Sequence, residues 1–381
     1  MDFSWSKEQK ELRESVAKFA REELNDGLTE RDQNGEFNHD GWKKCAAMGI
    51  HGLPVPAAYG GMGMDALTTV GVLESLGYGC EDNGLCFSIN AHMWTLETPL
   101  MGFGTEEQKQ RYLPRLCSGE LIGANAMSEP GSGSDAYSIA TTATKKGGHY
   151  VLKGSKVFVS NGPVANVYLV FANVDPALGP KGVTGFLVDR DTPGLSLGKH
   201  TVKMGIRTSP MCELFFDECA VPEANRLGRE GAGQMLFADS MSWERGCILA
   251  SAVGAMQRLL EVSVKYANER EQFGQPIGKF QLIASKVVDM KIRLETARAL
   301  LYKSAWQKSR GRSVYLEAAM AKLYISESWI ESARDAMQIH GGYGYMVEYK
   351  VERELRDALA STLYSGTSEI QRTIIAPLLG L

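Results

Sequence analysis

Apolar residues recur along this chain with two different periods, and the period changes twice. Up to about residue 121 the spacing is helical: Leu12, Val16, Phe19 and Ala20 share one face, as do Tyr112, Leu113 and Leu116. Each run follows a hydroxyl three residues ahead of a glutamine, Ser6 with Gln9 and Thr105 with Gln108, a pairing that satisfies two free N–H groups at a helix start. Gly60-Gly61-Met62-Gly63 and the stretch from Gly77 to Gly84 cut these helices into short pieces. From about 122 to 230 the pattern becomes short β-branched or aromatic runs, at 150–154, 156–160, 167–171, 185–189 and 212–216, divided by Gly, Pro, Asn and Asp. After Gly231-Ala232-Gly233 the helical period returns over long stretches, through about 270, 280–310, 313–340 and 348–359, with tight glycine-bearing connections. The expected fold is α+β: an N-terminal α-helical domain at 1–121, a middle β-barrel or sandwich domain at 122–230, and a C-terminal four-helix bundle at 231–381.

Composition narrows the function classes. With 381 residues, 44% apolar and 23% charged, the chain has the make-up of a soluble globular enzyme. A net charge of −4 without a long basic run argues against nucleic-acid binding. The N-terminus lacks a basic segment followed by an apolar one, and no 18 apolar residues run together, so the expectation is a cytoplasmic protein without a membrane span. Seven scattered cysteines with no CxxC pair, and six dispersed histidines, support neither a disulfide framework nor a metal site. Lys199, Lys203 and Arg207 form a basic group in the β-region that would suit an acidic partner, although such groups are ordinarily solvated surface.

Five segments carry chemistry: Asn125–Asp135 (NAMSEPGSGSD), Lys156–Asn161 (KVFVSN), Arg270–Gly274 (REQFG) with Phe280-Gln281, Gln338–Gly344 (QIHGGYG), and the tail Leu363–Gln371 (LYSGTSEIQ). Glycines allow a backbone to approach a ligand closely, and arginine with N–H donors suits an anionic pyrophosphate. Taken singly these segments read equally as a surface turn, a core strand, a helix arginine or a helix C-cap. Taken in this order, over essentially the whole chain, they resemble the acyl-CoA dehydrogenase superfamily, flavoproteins that desaturate thioesters between Cα and Cβ.

That resemblance implies FAD. It carries Met127 and Ser128 to hydrogen bonds with the isoalloxazine, Gly133 to the close backbone approach, and Ser134 to the thioester tail or the flavin phosphates. Phe158 would lie against the flavin face and Ser160 at its N5 edge. Arg270, Phe273 and Gln281, with Gln338, Gly341 and Gly342, would contact the dinucleotide of a neighbouring protomer, which implies a homotetramer or at least a dimer. Thr367 and Glu369 would stand near the adenosine.

The tail also departs from the family. Its members most often carry a glutamate between the Tyr and the Gly, where this chain has Ser365. A serine is no base near neutral pH, although its backbone N–H still serves as the donor that the resemblance assigns to the thioester carbonyl. Glu244, in Ser240–Gly246 (SMSWERG), matches the position where a minority of the family carries the catalytic carboxylate. In an apolar pocket its pKa would rise toward neutrality, as a general base requires. The competing reading pairs Glu244 with Arg245 or Arg293 on a helix surface, and helix neighbours do not face each other. SMSWER together with LYSGTS looks like the carrier-protein branch typified by L-prolyl-carrier-protein dehydrogenases, which oxidise a prolyl thioester on a phosphopantetheine arm. His92, Trp94, Trp243, Arg245 and Tyr364 would then meet the substrate, and electrons would leave to an electron-transfer flavoprotein or to dioxygen. A short- or branched-chain acyl-CoA dehydrogenase using Glu244, a flavin monooxygenase, and a non-catalytic flavin-binding homologue are the open alternatives.

Overall fold

The computed structural model describes residues 4–381. Seven helices come first: α1 (Lys7–Glu23), α2 (Leu28–Asn34), α3 (His39–Ala47), α4 (Ala66–Gly79), α5 (Asn83–His92), α6 (Thr98–Phe103) and α7 (Glu106–Cys117). Both expected capping boxes form, at Ser6–Gln9 before α1 and at Thr105–Gln108 before α7.

Eight strands follow: β1 (Gly123–Ala126), β2 (Thr142–Lys146), β3 (His149–Ser160), β4 (Val167–Asn173), β5 (Val183–Asp189), β6 (Leu195–Leu197), β7 (Met211–Pro222) and β8 (Arg226–Leu227). They pair in the order β6-β7-β3-β2-β4-β5-β8, with β1 alongside β4 in parallel. Every residue of β4 is buried, because both faces of the sheet are covered. Val167, Leu169 and Phe171 pack toward the helices with Leu96, Leu100 and Tyr112, whereas Tyr168, Val170 and Ala172 join an inner core drawn from strands and their flanks. Strand β3 slips register against β7 between Lys156 and Val159. Phe158 lies inside that irregularity with φ 57°, which turns its ring out of the sheet and leaves it 70% exposed.

The C-terminal helices are α8 (Gly233–Cys247), α9 (Ala250–Glu269), α10 (Gln281–Ser309), α11 (Tyr315–His340), α12 (Val351–Ala360) and α13 (Ser368–Leu378). They share one apolar core with the N-terminal helices, since α4 lies directly on α9. Glycines permit that approach: a methyl at Gly77 would sit 2.0 Å from the Ser251 carbonyl, and one at Gly254 2.0 Å from the Glu74 carbonyl. The stretch Gly233–Glu269 is long and apolar enough by composition to cross a membrane, but 61% of its apolar window is buried inside the protein as a core helix.

The expected basic face is corrected. Lys203 folds inward, its Nζ donating to the carbonyls of Ile206 and Ser209, and burial lowers its pKa to about 8. Of the three cations only Lys199 is exposed, so segment 199–207 spends its charge on its own turn rather than on a surface.

Candidate active site

Helix α8 and the loop between α12 and α13 meet at two residues. Glu244 lies on the inner face of α8 with 6% exposure, beside Ser240 and Met241. In the loop, Ser365 takes φ 58° and Gly366 φ 89°. A left-handed serine costs about 1–3 kcal/mol and persists only where its surroundings hold it. Three side chains do so. Arg245 Nε donates to the Ser365 carbonyl at 3.1 Å, Lys322 Nζ to the Gly366 carbonyl at 2.7 Å, and Gln371 Nε2 to both, at 3.1 and 2.9 Å. With its carbonyl held from behind, the Ser365 N–H donates to no acceptor among the described residues.

The Ser365 hydroxyl donates to Glu244 Oε1, while Glu244 Oε2 is buried and accepts from no group among the described residues. Burial raises the Glu244 pKa above the usual carboxylate range, opposed by the Ser365 hydrogen bond and by the charges of Arg245 and Lys322. Burial, helped by the neighbouring Arg245, also lowers the pKa of Lys322 to about 8. Arg293, the competing partner, is engaged elsewhere, with Asp335 at 2.8 Å. Glu244 is thus a buried carboxylate with one committed oxygen and one open oxygen.

Trp243 is half-buried and stacks on Trp94, ring centroids 5.7 Å apart, with Lys308 Nζ 3.9 Å above its ring. Tyr364 packs against Phe87 at 4.7 Å. Two expected substrate contacts are corrected. Trp94 is fully buried, with Nε1 donating to Asn90, and stands one layer behind Trp243. His92 is also fully buried: its Nδ1 accepts the Gly123 N–H at 2.9 Å and its Nε2 faces Glu97 at 3.2 Å. Both sit where α5 widens into the π-helical turn Met93–Glu97, which packs into the interior.

The Asn125–Asp135 loop leaves β1 and lies on β3. Ser128 O accepts the Val157 N–H at 2.9 Å, and Met127 O accepts from Lys156 Nζ at 3.1 Å. Lys156 and Glu129, both buried, form an ion pair at 2.7 Å, and Glu129 also accepts the N–H groups of Ala140 and Thr141. Sequence reasoning quoted both residues within their motifs and missed the pair that joins those motifs. Beyond Glu129 the loop is open: Gly133 and Ser134 are exposed, and space is free around Gly133. Ser160 ends β3 half-buried.

The Arg270 and Gln338 segments come together in a separate cleft of about 740 Å³, lined by Tyr266, Arg270, Phe273, Phe280, Gly341, Gly342 and Tyr343 among others. Phe273 has φ 52° and is 94% exposed, and the Arg270 guanidinium lies 5.6 Å from the Tyr343 ring centre. Gly341, at φ 58°, has open space where a side chain would stand. Gln281 and Gln338 are exposed next to lining residues Phe280 and Ile339 without lining the cleft themselves. Thr367 caps α13 by accepting the Ile370 N–H, and Glu369 is exposed on its first turn. Neither Glu244 nor Ser365, Met127 or Phe158 lines this cleft.

These groups suit a flavin dinucleotide. An outward aromatic face at Phe158 and open backbone at Gly133 match a flat ring system, and a guanidinium beside open glycine backbone matches a pyrophosphate.

Family models for acyl-CoA dehydrogenases match three successive parts of the chain: the N-terminal domain over residues 6–120, the middle domain over 124–219 and the C-terminal domain over 231–379. An L-prolyl-[peptidyl-carrier protein] dehydrogenase from a Serratia species is 41% identical over 381 residues, covering 100% of this chain and 99% of the relative. Among solved structures, the prolyl acyl carrier protein oxidase AnaB is 54% identical with a TM-score of 0.98, covering 99% of this chain and 100% of AnaB. PigA, solved with FAD and proline, is 40% identical with a TM-score of 0.97, covering 100% of both chains.

Proposed function

We propose a function on one premise: the chain belongs to the acyl-CoA dehydrogenase family. It is an FAD-dependent enzyme that oxidises a prolyl group held as a thioester on the phosphopantetheine arm of a carrier protein, within natural-product biosynthesis. The observation that carries this reading is Glu244, a buried carboxylate with one open oxygen, set against the loop where Ser365 replaces the usual base. Full-length similarity to enzymes named for prolyl carrier substrates favours this substrate over a free acyl-CoA.

Met127, Ser128, Gly133, Ser134, Phe158 and Ser160 would hold the flavin ring system. Arg270, Phe273, Gly341 and Gly342 would hold a dinucleotide tail, with Gln281, Gln338, Thr367 and Glu369 around it. FAD, when bound, supplies the two-electron acceptor for the hydrogen that leaves the ring as hydride. Glu244 Oε2 takes the Cα proton, and the Ser365 N–H donates to the thioester carbonyl as negative charge develops there. Trp243 and Tyr364 wall the site and keep water from the carboxylate, which sustains its raised pKa.

The proposed dinucleotide cleft exposes Phe273, at 94%, and Leu282, at 82%, which supports assembly into a homotetramer, or at least a dimer. The proposed domain divisions lie near 121/122 and 230/231, a reading supported by β1 starting at Gly123 and α8 at Gly233. Seven unpaired, buried cysteines suit a reducing cytoplasm. Electrons would pass to an electron-transfer flavoprotein or to dioxygen, and flavin reoxidation with and without air separates the two.

The test is anaerobic mixing of the purified yellow protein with L-prolyl carrier protein, butyryl-CoA and isovaleryl-CoA, following loss of the oxidised flavin band. Bleaching by the prolyl carrier alone is expected. Bleaching by the CoA esters instead would make the protein an acyl-CoA dehydrogenase, the reading that the same Glu244 would equally serve.

A further inference from the structure

Glu244 offers two oxygens, and the fold treats them differently. Oε1 accepts the Ser365 hydroxyl, and Oε2 is buried and accepts from nothing among the described residues. The terminal torsion of a glutamate is broad and roughly two-fold, so an untethered carboxylate presents either oxygen and many angles. We infer that the Ser365 hydroxyl is a positioning group for the base: by occupying Oε1 it leaves Oε2 as the one atom aimed at the substrate's Cα. Ser365 then acts twice, on the base through its side chain and on the thioester carbonyl through its main chain. This deepens the function proposed above and rests on it.

The serine is able to position because it is itself held. Its carbonyl accepts from Arg245 on α8 and Gln371 on α13, and the next carbonyl accepts from Lys322 on α11 and from Gln371. Three helices therefore fix the backbone from which the hydroxyl reaches Glu244. The spacing between the proton acceptor on Glu244 and the carbonyl donor on Ser365 is thereby set through one hydrogen bond, and such spacing governs how often a bound substrate is ready to react.

The charged and titratable groups facing Glu244 are Arg245 on its own helix, Lys322 from α11 and Tyr364 from the loop. All three remain when only the hydroxyl is removed, so a change in pH profile would report the hydroxyl. A hydrogen bond to the ionised carboxylate lowers its pKa, so losing the bond raises it. Activity needs the ionised form, and the rising limb of kcat/KM therefore moves to higher pH.

Ser365→Gly is the cleanest variant, since glycine accepts the left-handed backbone without strain. Ser365→Ala keeps the Cβ and removes only the hydroxyl. Flavin reduction by L-prolyl carrier protein is followed across pH for both, with flavin absorbance confirming the fold. Expected for Gly and Ala is a rising limb shifted up by roughly one pH unit, with kcat down about tenfold and KM changed less than about twofold. Wild-type kcat and pH profile in both Gly and Ala would overturn the inference. Glu244→Gln is run alongside: if it reduces its flavin at the wild-type rate, the base has been misassigned, a failure independent of the Ser365 result.

Discussion

The Glu244–Ser365 site and the Arg270–Gly341 cleft differ in how completely one chain builds them. At the first, a carboxylate with 6% exposure meets a loop whose two carbonyls are held by three side chains from three helices. Glu244 Oε2 and the Ser365 N–H are without a partner among the described residues, and the proposed chemistry uses both. At the second, a ring 94% exposed and unobstructed glycines face a wide cleft with one guanidinium. Proton transfer depends on sub-ångström placement and is built from buried, interlocked groups. Gripping a large dinucleotide depends on area and charge, and the proposed dinucleotide site would draw both from the ligand and a second protomer.

The comparison breaks most visibly at the base. Glu244→Gln should slow flavin reduction by roughly 10²-fold or more while leaving the bound flavin spectrum intact. Arg270→Ala should do the reverse. Loss of a charge-assisted contact worth about 1.5–3 kcal/mol should weaken FAD binding by roughly 10- to 100-fold in fluorescence titration, and molecules that keep their flavin should reduce it normally. A smaller effect is expected at Lys322→Met, which leaves the Gly366 carbonyl to Gln371 alone. Reduction should fall about tenfold. Stability should change little, because removing a buried ammonium, its pKa already lowered to about 8, offsets the lost hydrogen bond.

The smallest effect concerns the support beneath the loop. Asp357 on α12 is buried, accepts from the Ile206 N–H and Asn83 Nδ2, and has its pKa raised from 3.8 to about 7, chiefly by burial. The folded state therefore holds a proton there that the unfolded chain has released. The stabilisation is full below about pH 4 and is lost as pH rises through about 7. Asp357→Asn should flatten that part of the melting-temperature profile, by a few degrees, without moving the pH profile of kcat/KM.

Much of this was legible in the chain. Helix starts at Ser6 and Thr105 were readable because a capping box is a local pattern, and the switch from period 3.6 to period 2 and back was readable because burial of one face imposes it. The missing tail carboxylate pointed to Glu244 through the family resemblance. What the sequence misled about were side chains whose burial is decided by packing. His92 and Trp94 look like pocket walls as a string of letters, yet a π-helical turn points them into the core. Lys203 looks like a surface charge, yet its turn consumes it.

By itself the sequence determined the three-part order of elements and the family, and it pointed to Glu244 as the proposed base, because each rests on short-range spacing or on a motif. Only the tertiary structure decided which oxygen of Glu244 is committed and which is open, that Ser365 reaches it across 121 positions, and that Arg245, Lys322 and Gln371 hold the loop in a left-handed turn. Those are relations between helices distant in sequence, and packing alone brings them within hydrogen-bonding reach.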